Sequence, residues 1–145
     1  MFEINKSEPR RDAELRALIY DDDEIYSEEC AEALSRFGYQ TMTRKGRTDF
    51  LNLVKNFSPN VLILDIHMPG MDGMESLKAL SEYERKDALS VIMISAANSL
   101  FLESAAKLAI AYGVNLIGMC SKPLVLKELL FLLASQDIRA RNSAN

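Results

Sequence analysis

Four stretches of the chain are largely apolar and then turn polar abruptly. Leu15–Tyr20 stops at Asp21-Asp22-Asp23, residues 61–64 (Val-Leu-Ile-Leu) at Asp65, residues 91–94 at Ser95, and residues 116–120 at Ser121-Lys122. Unbroken rather than alternating hydrophobicity predicts strands covered on both faces of a parallel sheet. Residues 39–43 add a fifth strand. Between the strands the apolar positions follow helical spacing. Ile25, Cys30, Ala33, Leu34 and Phe37 form one stripe, started by Asp22 or Asp23 as N-cap and ended by Gly38; Phe50, Leu51, Val54 and Phe57 form another within 48–57, closed by Pro59. Two more helices are predicted over 99–112 and 125–134. With a further helix between the third and fourth strands, five strands alternate with five helices and imply an α/β fold, an open, doubly wound five-stranded parallel sheet with helices on both faces.

Domain organisation follows from where this periodicity begins and ends. Residues 1–13 lack it and carry Pro9 among several charges, so a mobile N-terminal arm is expected there, a single domain over 14–134, and a tail or linker over 135–145. At 145 residues the chain can bury a core without a disulfide or structural metal. Its 48% apolar and 26% charged residues exclude the disordered and fibrous classes.

The net charge of −4 is modest and the basic residues are scattered in pairs such as Arg10-Arg11 and Arg85-Lys86, which gives no support for direct nucleic-acid binding. The N-terminus has no apolar signal core, and no run reaches the roughly 18 apolar residues of a membrane span, so a cytoplasmic protein without a membrane partner is expected. Cys30 and Cys120 sit far apart in apolar stretches and are expected to be reduced packing residues. His67 is the only histidine, which rules out a catalytic triad or a multi-histidine metal site.

In open α/β sheets ligands bind at the carboxyl ends of the strands. Those ends carry Asp21, Asp22, Asp65, Ser95 and Lys122: three carboxylates, a hydroxyl and an ammonium in one predicted pocket. Converging carboxylates repel unless a cation lies among them, and hard oxygen donors suit Mg²⁺ or Mn²⁺. Lys122 brings a second positive charge, with Pro123 fixing its loop. Two cationic groups facing an aspartate describe a phosphoryl site in which a carboxylate acts as nucleophile in an in-line displacement.

Residues 19–24 (Ile-Tyr-Asp-Asp-Asp-Glu), residues 62–73 (Leu-Ile-Leu-Asp-Ile-His-Met-Pro-Gly-Met-Asp-Gly), the corner Ile94-Ser95-Ala96 and Ser121-Lys122-Pro123 together resemble the receiver domains of bacterial response regulators. The resemblance covers about residues 15–134 and implies a flavodoxin-like, CheY-like (βα)5 fold. It implies that Asp65 accepts a phosphoryl group from a sensor histidine kinase or phosphotransfer protein. Asp22, Asp65 and the main-chain carbonyl of His67 would then ligate Mg²⁺, with Asp21 holding a metal water, while Ser95 and Lys122 bond phosphoryl oxygens. Met68-Pro69 and Gly73 would shape the loop after the third strand, which Asp72 would stabilise. Such a domain is a phosphoacceptor that promotes its own phosphorylation and dephosphorylation rather than an enzyme. Residues 112–124 are similar to receivers fused to cyclic-di-GMP phosphodiesterase domains of the EAL type, which makes such a domain one candidate output.

One departure from the family pattern is Met119, which stands where many receivers carry an aromatic switch residue; methionine is flexible enough to take the same groove in a Ser95-linked switch. The helix over 99–112 carries Leu100, Phe101, Leu102, Ala105, Ala106, Leu108, Ala109 and Ile110, more than one buried stripe requires. Part of it is expected to be exposed on a face made with the fifth strand and fifth helix, as a partner or homodimer contact, or else to be covered by the N-terminal arm. Two rival functions are a haloacid-dehalogenase-type phosphatase, which wants a Gly after a first-strand Asp-x-Asp that this chain lacks, and a phosphorylation-independent interaction module on the same scaffold.

Overall fold

The computed structural model describes residues 14–44, 49–68, 71–96, 99–123 and 125–135. The order is β1 (Leu15–Tyr20), α1 (Glu24–Arg36), β2 (Tyr39–Arg44), α2 (Phe50–Phe57), β3 (Val61–Asp65), β4 (His67–Met68), β5 (Met71–Asp72), α3 (Gly73–Leu80), β6 (Ser90–Ser95), α4 (Ser99–Ala111), β7 (Leu116–Ser121) and α5 (Leu126–Ser135). The five expected strands form one parallel sheet in the order β2-β1-β3-β6-β7. β4 and β5 are a two-residue antiparallel ribbon in the segment after β3, which periodicity alone could not detect.

β3 is central and all five of its residues are buried, as its unbroken apolar run requires. Successive strand side chains point to opposite faces, and the core divides accordingly. Leu62 and Leu64 meet Phe50, Val54, Leu77, Leu80, Leu102 and Ala105, so α2, α3 and α4 cover one face. Val61 and Ile63 meet Tyr26, Cys30, Leu34, Leu129 and Leu133, so α1 and α5 cover the other. Each fully buried leucine or isoleucine contributes about 1.5–3 kcal/mol of transfer free energy.

Local signals account for the helix ends. Asp23 is the N-cap of α1, its carboxylate accepting from the Tyr26 N–H at 3.1 Å, and Asp49 caps α2 through the Asn52 N–H. Gly38 follows α1 with φ +104°, and Ser58 closes α2 in the left-handed region at φ +50° just before Pro59. Both cysteines are buried and free. No helix among the described residues is long and apolar enough to cross a membrane.

Three expectations need correction. Ile25, placed on the buried stripe of α1, is 73% exposed, and Tyr26 is buried in its stead. Tyr26, Cys30 and Leu34 are spaced by four residues and share one side, whereas Ile25 lies about 140° around the helix from Cys30 at 100° per residue. Phe37 is likewise exposed, a C-cap residue whose ring stacks on Tyr39. Ser135 belongs to α5 rather than to a tail. On α4, Leu102, Ala105, Ala106 and Ala109 are buried and Ile110 is 69% exposed, so part of its apolar surface does face outward. The side chains of Leu100 and Phe101, the arm over 1–13 and the segment 136–145 lie outside the described residues.

Candidate functional site

The register of the sheet sets which acidic residues meet. Tyr20 of β1 pairs with Leu64 of β3, so the residues that follow them, Asp21 and Asp65, arrive level with each other at the carboxyl edge. Alternation turns both toward the α1 and α5 face, two residues beyond Ile19 and Ile63. Cys120 of β7 points to the same face, and Lys122 two residues later follows it. The three side chains converge there. Lys122 Nζ lies 3.0 Å from Asp21 Oδ1, 2.9 Å from Asp21 Oδ2 and 3.0 Å from Asp65 Oδ2. Asp21 and Asp65 are 2% and 3% exposed.

Two buried carboxylates thus share one ammonium. Asp21 Oδ1 also accepts the Asp23 N–H at 3.0 Å, but Asp21 Oδ2 accepts no hydrogen bond of proper geometry although Lys122 Nζ lies beside it. A buried anionic oxygen with unused acceptor capacity is costly in isolation. Burial alone would pull the Lys122 ammonium below its ordinary value, yet its hydrogen bonds to Asp21 and Asp65 and their charges outweigh burial, and the net shift is upward. Lys122 is therefore a fixed cation in this site rather than a proton donor near neutral pH.

The remaining expected residues take distinct positions. Asp22 is half-buried next to Asp21, and its carboxylate makes no part of the Lys122 contact. Ser95 ends β6, is fully buried, and lies two residues beyond Met93, which directs it toward the α4 face; its carbonyl accepts the Lys122 N–H at 3.0 Å and so ties the ends of β6 and β7. His67 opposes Asp72 in the ribbon just after Asp65, leaving its main chain at the site's edge; its side chain, like those of Met68 and Asp72, lies outside the described residues, as does the whole of Pro69, and Gly73 opens α3. Met119 pairs with Met93 and is exposed.

Sequence reasoning missed one neighbour of the site. The ring of Tyr26 lies 4.6 Å from Lys122 Nζ. Its four-residue spacing to Cys30 and Leu34 was the available signal, hidden by the more apolar Ile25 beside it. Burial pushes the Tyr26 phenol up, and Cys30, Cys120, Asp21 and Asp65 push it further. Burial also raises the Cys30 thiol to about 12 and the Cys120 thiol above its ordinary value, which leaves both as unreactive packing groups.

The donor set suits a hard divalent cation. Two carboxylates face one ammonium with the half-buried Asp22 beside them, and Asp21 Oδ2 accepts no hydrogen bond although Lys122 Nζ lies 2.9 Å away. No group of three or more His, Cys, Asp or Glu side chains among the described residues is placed to hold a metal ion by itself. Mg²⁺ needs no such group, since it is held by one or two carboxylates together with waters and other oxygens.

Comparison with known proteins bears on the fold as a whole. Residues 17–133 match the family described as the response regulator receiver domain. The chain is 31% identical over 86 residues to response regulator MprA of Mycobacterium sp. (strain KMS), covering 59% of this chain and 36% of that protein. It spans less than half the length of such curated relatives. Among solved structures, a CheY-like receiver domain protein from Methanospirillum hungatei JF-1 superposes with a TM-score of 0.73 at 20% identity, over 92% of this chain and all of that one. The CheX–CheY–BeF3–Mg²⁺ complex from Borrelia burgdorferi gives a TM-score of 0.68 at 25% identity, over 84% and 88% of the two chains.

Proposed function

Since the chain belongs to the response regulator receiver domains, signalling domains of two-component systems, we propose that Asp65 is the residue that takes up the phosphoryl group. The observation that carries this assignment is the sharing of one ammonium, Lys122, by the buried carboxylates of Asp21 and Asp65 at the carboxyl edge of the sheet. A carboxylate oxygen of Asp65 forms the new O–P bond as the donor's P–N bond breaks, and the electron pair leaves with the imidazole of a phosphorylated histidine on a sensor kinase or phosphotransfer protein. Lys122 takes a phosphoryl oxygen, and the Ser95 hydroxyl takes another once Asp65 is modified.

Mg²⁺, with Mn²⁺ as a substitute, would be held by Asp22, Asp65 and the His67 main-chain carbonyl, with Asp21 acting through a water, and would neutralise charge on the phosphoryl oxygens. The solved Borrelia burgdorferi complex, which contains Mg²⁺ and BeF3, supports this reading. The same groups promote both gain and loss of the phosphoryl group, without turnover of phosphate esters. The reading places the domain in the cytoplasm with its kinase.

The output surface in this reading is the face of α4, β7 and α5, where Ile110, Met119 and Phe131 are exposed. Movement of Ser95 toward the phosphoryl group would reach that face through Met119, which lies on the next strand. The occupant is an output domain or protein partner, with an EAL phosphodiesterase as one candidate, or a second copy of the chain.

The deciding experiment is exposure to acetyl phosphate with Mg²⁺ followed by intact mass. One added phosphoryl group is expected in the wild type and none in Asp65→Asn. Full labelling of that variant would overturn the assignment to Asp65. A folded wild type that never labels would favour the phosphorylation-independent interaction module.

A further inference from the structure

Lys122 has a third neighbour besides its two carboxylates. The Tyr26 ring lies 4.6 Å from Nζ, within the range at which an ammonium is attracted by an aromatic face. Tyr26 itself is 6% exposed, and its hydroxyl is buried with no hydrogen-bond partner among the described residues. A phenylalanine would fill the same space without leaving an oxygen dry. The useful part of this side chain is therefore its ring, not its hydroxyl.

The backbone holds that ring in a closed circuit with the charges. Asp21 Oδ1 accepts the Asp23 N–H, the Asp23 carboxylate accepts the Tyr26 N–H, the Tyr26 ring meets Lys122, and Lys122 returns to Asp21. The first turn of α1 is thereby set by the same carboxylate that binds the ammonium.

We propose that Tyr26 is a positioning residue whose ring face holds the Lys122 ammonium at the phosphoryl site while its carboxylate partners change. This rests on the receiver reading above. The two carboxylates cannot serve Lys122 in every state: Asp65 becomes an acyl phosphate on labelling, and Asp21 is drawn toward the metal's water. The ring face carries the same electrostatic character throughout. Its support is also free of competition, because a quadrupole binds the ammonium without offering an oxygen to Mg²⁺ or repelling a phosphoryl group.

The test uses the full chain, acetyl phosphate with Mg²⁺, and two readouts. The initial labelling rate is followed by intact mass, and the ε-methylene proton shifts of Lys122 are followed by NMR, since protons over a ring face move upfield. Tyr26→Leu, which keeps apolar volume and loses the ring, should label about tenfold more slowly and lose the upfield shift. Tyr26→Phe should restore both. If Tyr26→Leu labels at the wild-type rate while the wild type labels normally, the role of Tyr26 falls and the receiver reading stands. If Tyr26→Phe is as slow as Tyr26→Leu at an equal melting temperature, the hydroxyl rather than the ring is at work and the proposal is overturned. An unshifted Lys122 signal in the wild type overturns it even should Tyr26→Leu fail to fold. A folded wild type that takes up no phosphoryl group overturns the receiver reading, and the positioning role with it.

Discussion

The two faces of the central sheet are equally dry and chemically different. On the α2, α3 and α4 side the buried layer is built from leucines, alanines and aromatics such as Tyr20, whose ring packs 4.8 Å from that of Phe50. On the α1 and α5 side the layer includes two thiols and Tyr26, and its carboxyl edge carries Asp21, Asp65 and Lys122. Burial by itself therefore does not mark the functional side. What marks it is that β1, β3 and β7 all reach their polar ends in the same phase of alternation, which turns three charges into one small volume. Ser95, from β6, ends in the opposite phase and faces α4. Ser95, whose carbonyl accepts the Lys122 N–H, thereby joins the charged end of the sheet to its α4 side.

The strongest test of this contrast is a pair of core truncations on adjacent residues of β3. Leu62→Ala empties the α4 side and Ile63→Ala the α1 side, and each should destabilise the fold by about 2–5 kcal/mol in urea unfolding. Phosphoryl uptake by the folded fraction should persist in Leu62→Ala, whose side chain lies on the face away from the charges. Loss of uptake in the folded Leu62→Ala variant would break the separation of the two faces.

A smaller effect is expected from metal. At ten times its dissociation constant, Mg²⁺ should stabilise the native state by about 1.4 kcal/mol, since only the folded chain gathers Asp21, Asp22 and Asp65. Asp22→Ala should weaken both binding and the melting shift. An unchanged Mg²⁺ response in that variant would exclude Asp22 from the ligand set.

The charged face also carries groups whose titration burial displaces. Cys30, held by burial at about 12 against an ordinary value of 9.0, stays protonated in the native state while the unfolded chain loses its proton. The native state then binds more protons, so stability falls as pH rises from about 9 toward 12. Cys120 acts in the same sense, and Lys122, raised above 10.5, adds to the decline at the upper end of that window. Denaturant melts across pH 8–11 should show a shallower decline in Cys30→Ala. An identical pH profile in that variant would show that the thiol carries none of it.

The smallest effect belongs to the outer surface. Phe131 of α5 is 71% exposed, and Phe131→Ser should change stability by no more than about 0.5 kcal/mol. A larger loss, or one that depends on protein concentration, would show that this face is covered in solution.

The amino-acid sequence by itself determined the strands, their order along the chain and the residues at their carboxyl ends. A strand buried on both faces must be apolar throughout and must turn polar where it leaves the sheet, so Asp21, Asp65, Ser95 and Lys122 are legible as strand ends without coordinates. The sequence could not say which of Asp21 and Asp22 is buried against Lys122. That depends on the pairing of Tyr20 with Leu64, a register between segments more than forty residues apart, and a slip of one residue would exchange the two faces. The four-residue spacing of Tyr26 to Cys30 and Leu34 did favour Tyr26 over Ile25 for the inner side of α1, but only the packed structure brings its ring to Lys122. The seating of α5 has the same origin. Gly118 of β7 lies where any added Cβ would run into the end of Leu132, so α5 can rest directly on the strand. Hydrophobic pattern is a property of one segment, and it specifies each element and its end. Register, helix facing and close approach are properties of pairs of segments, and only the packed tertiary structure supplies the partner.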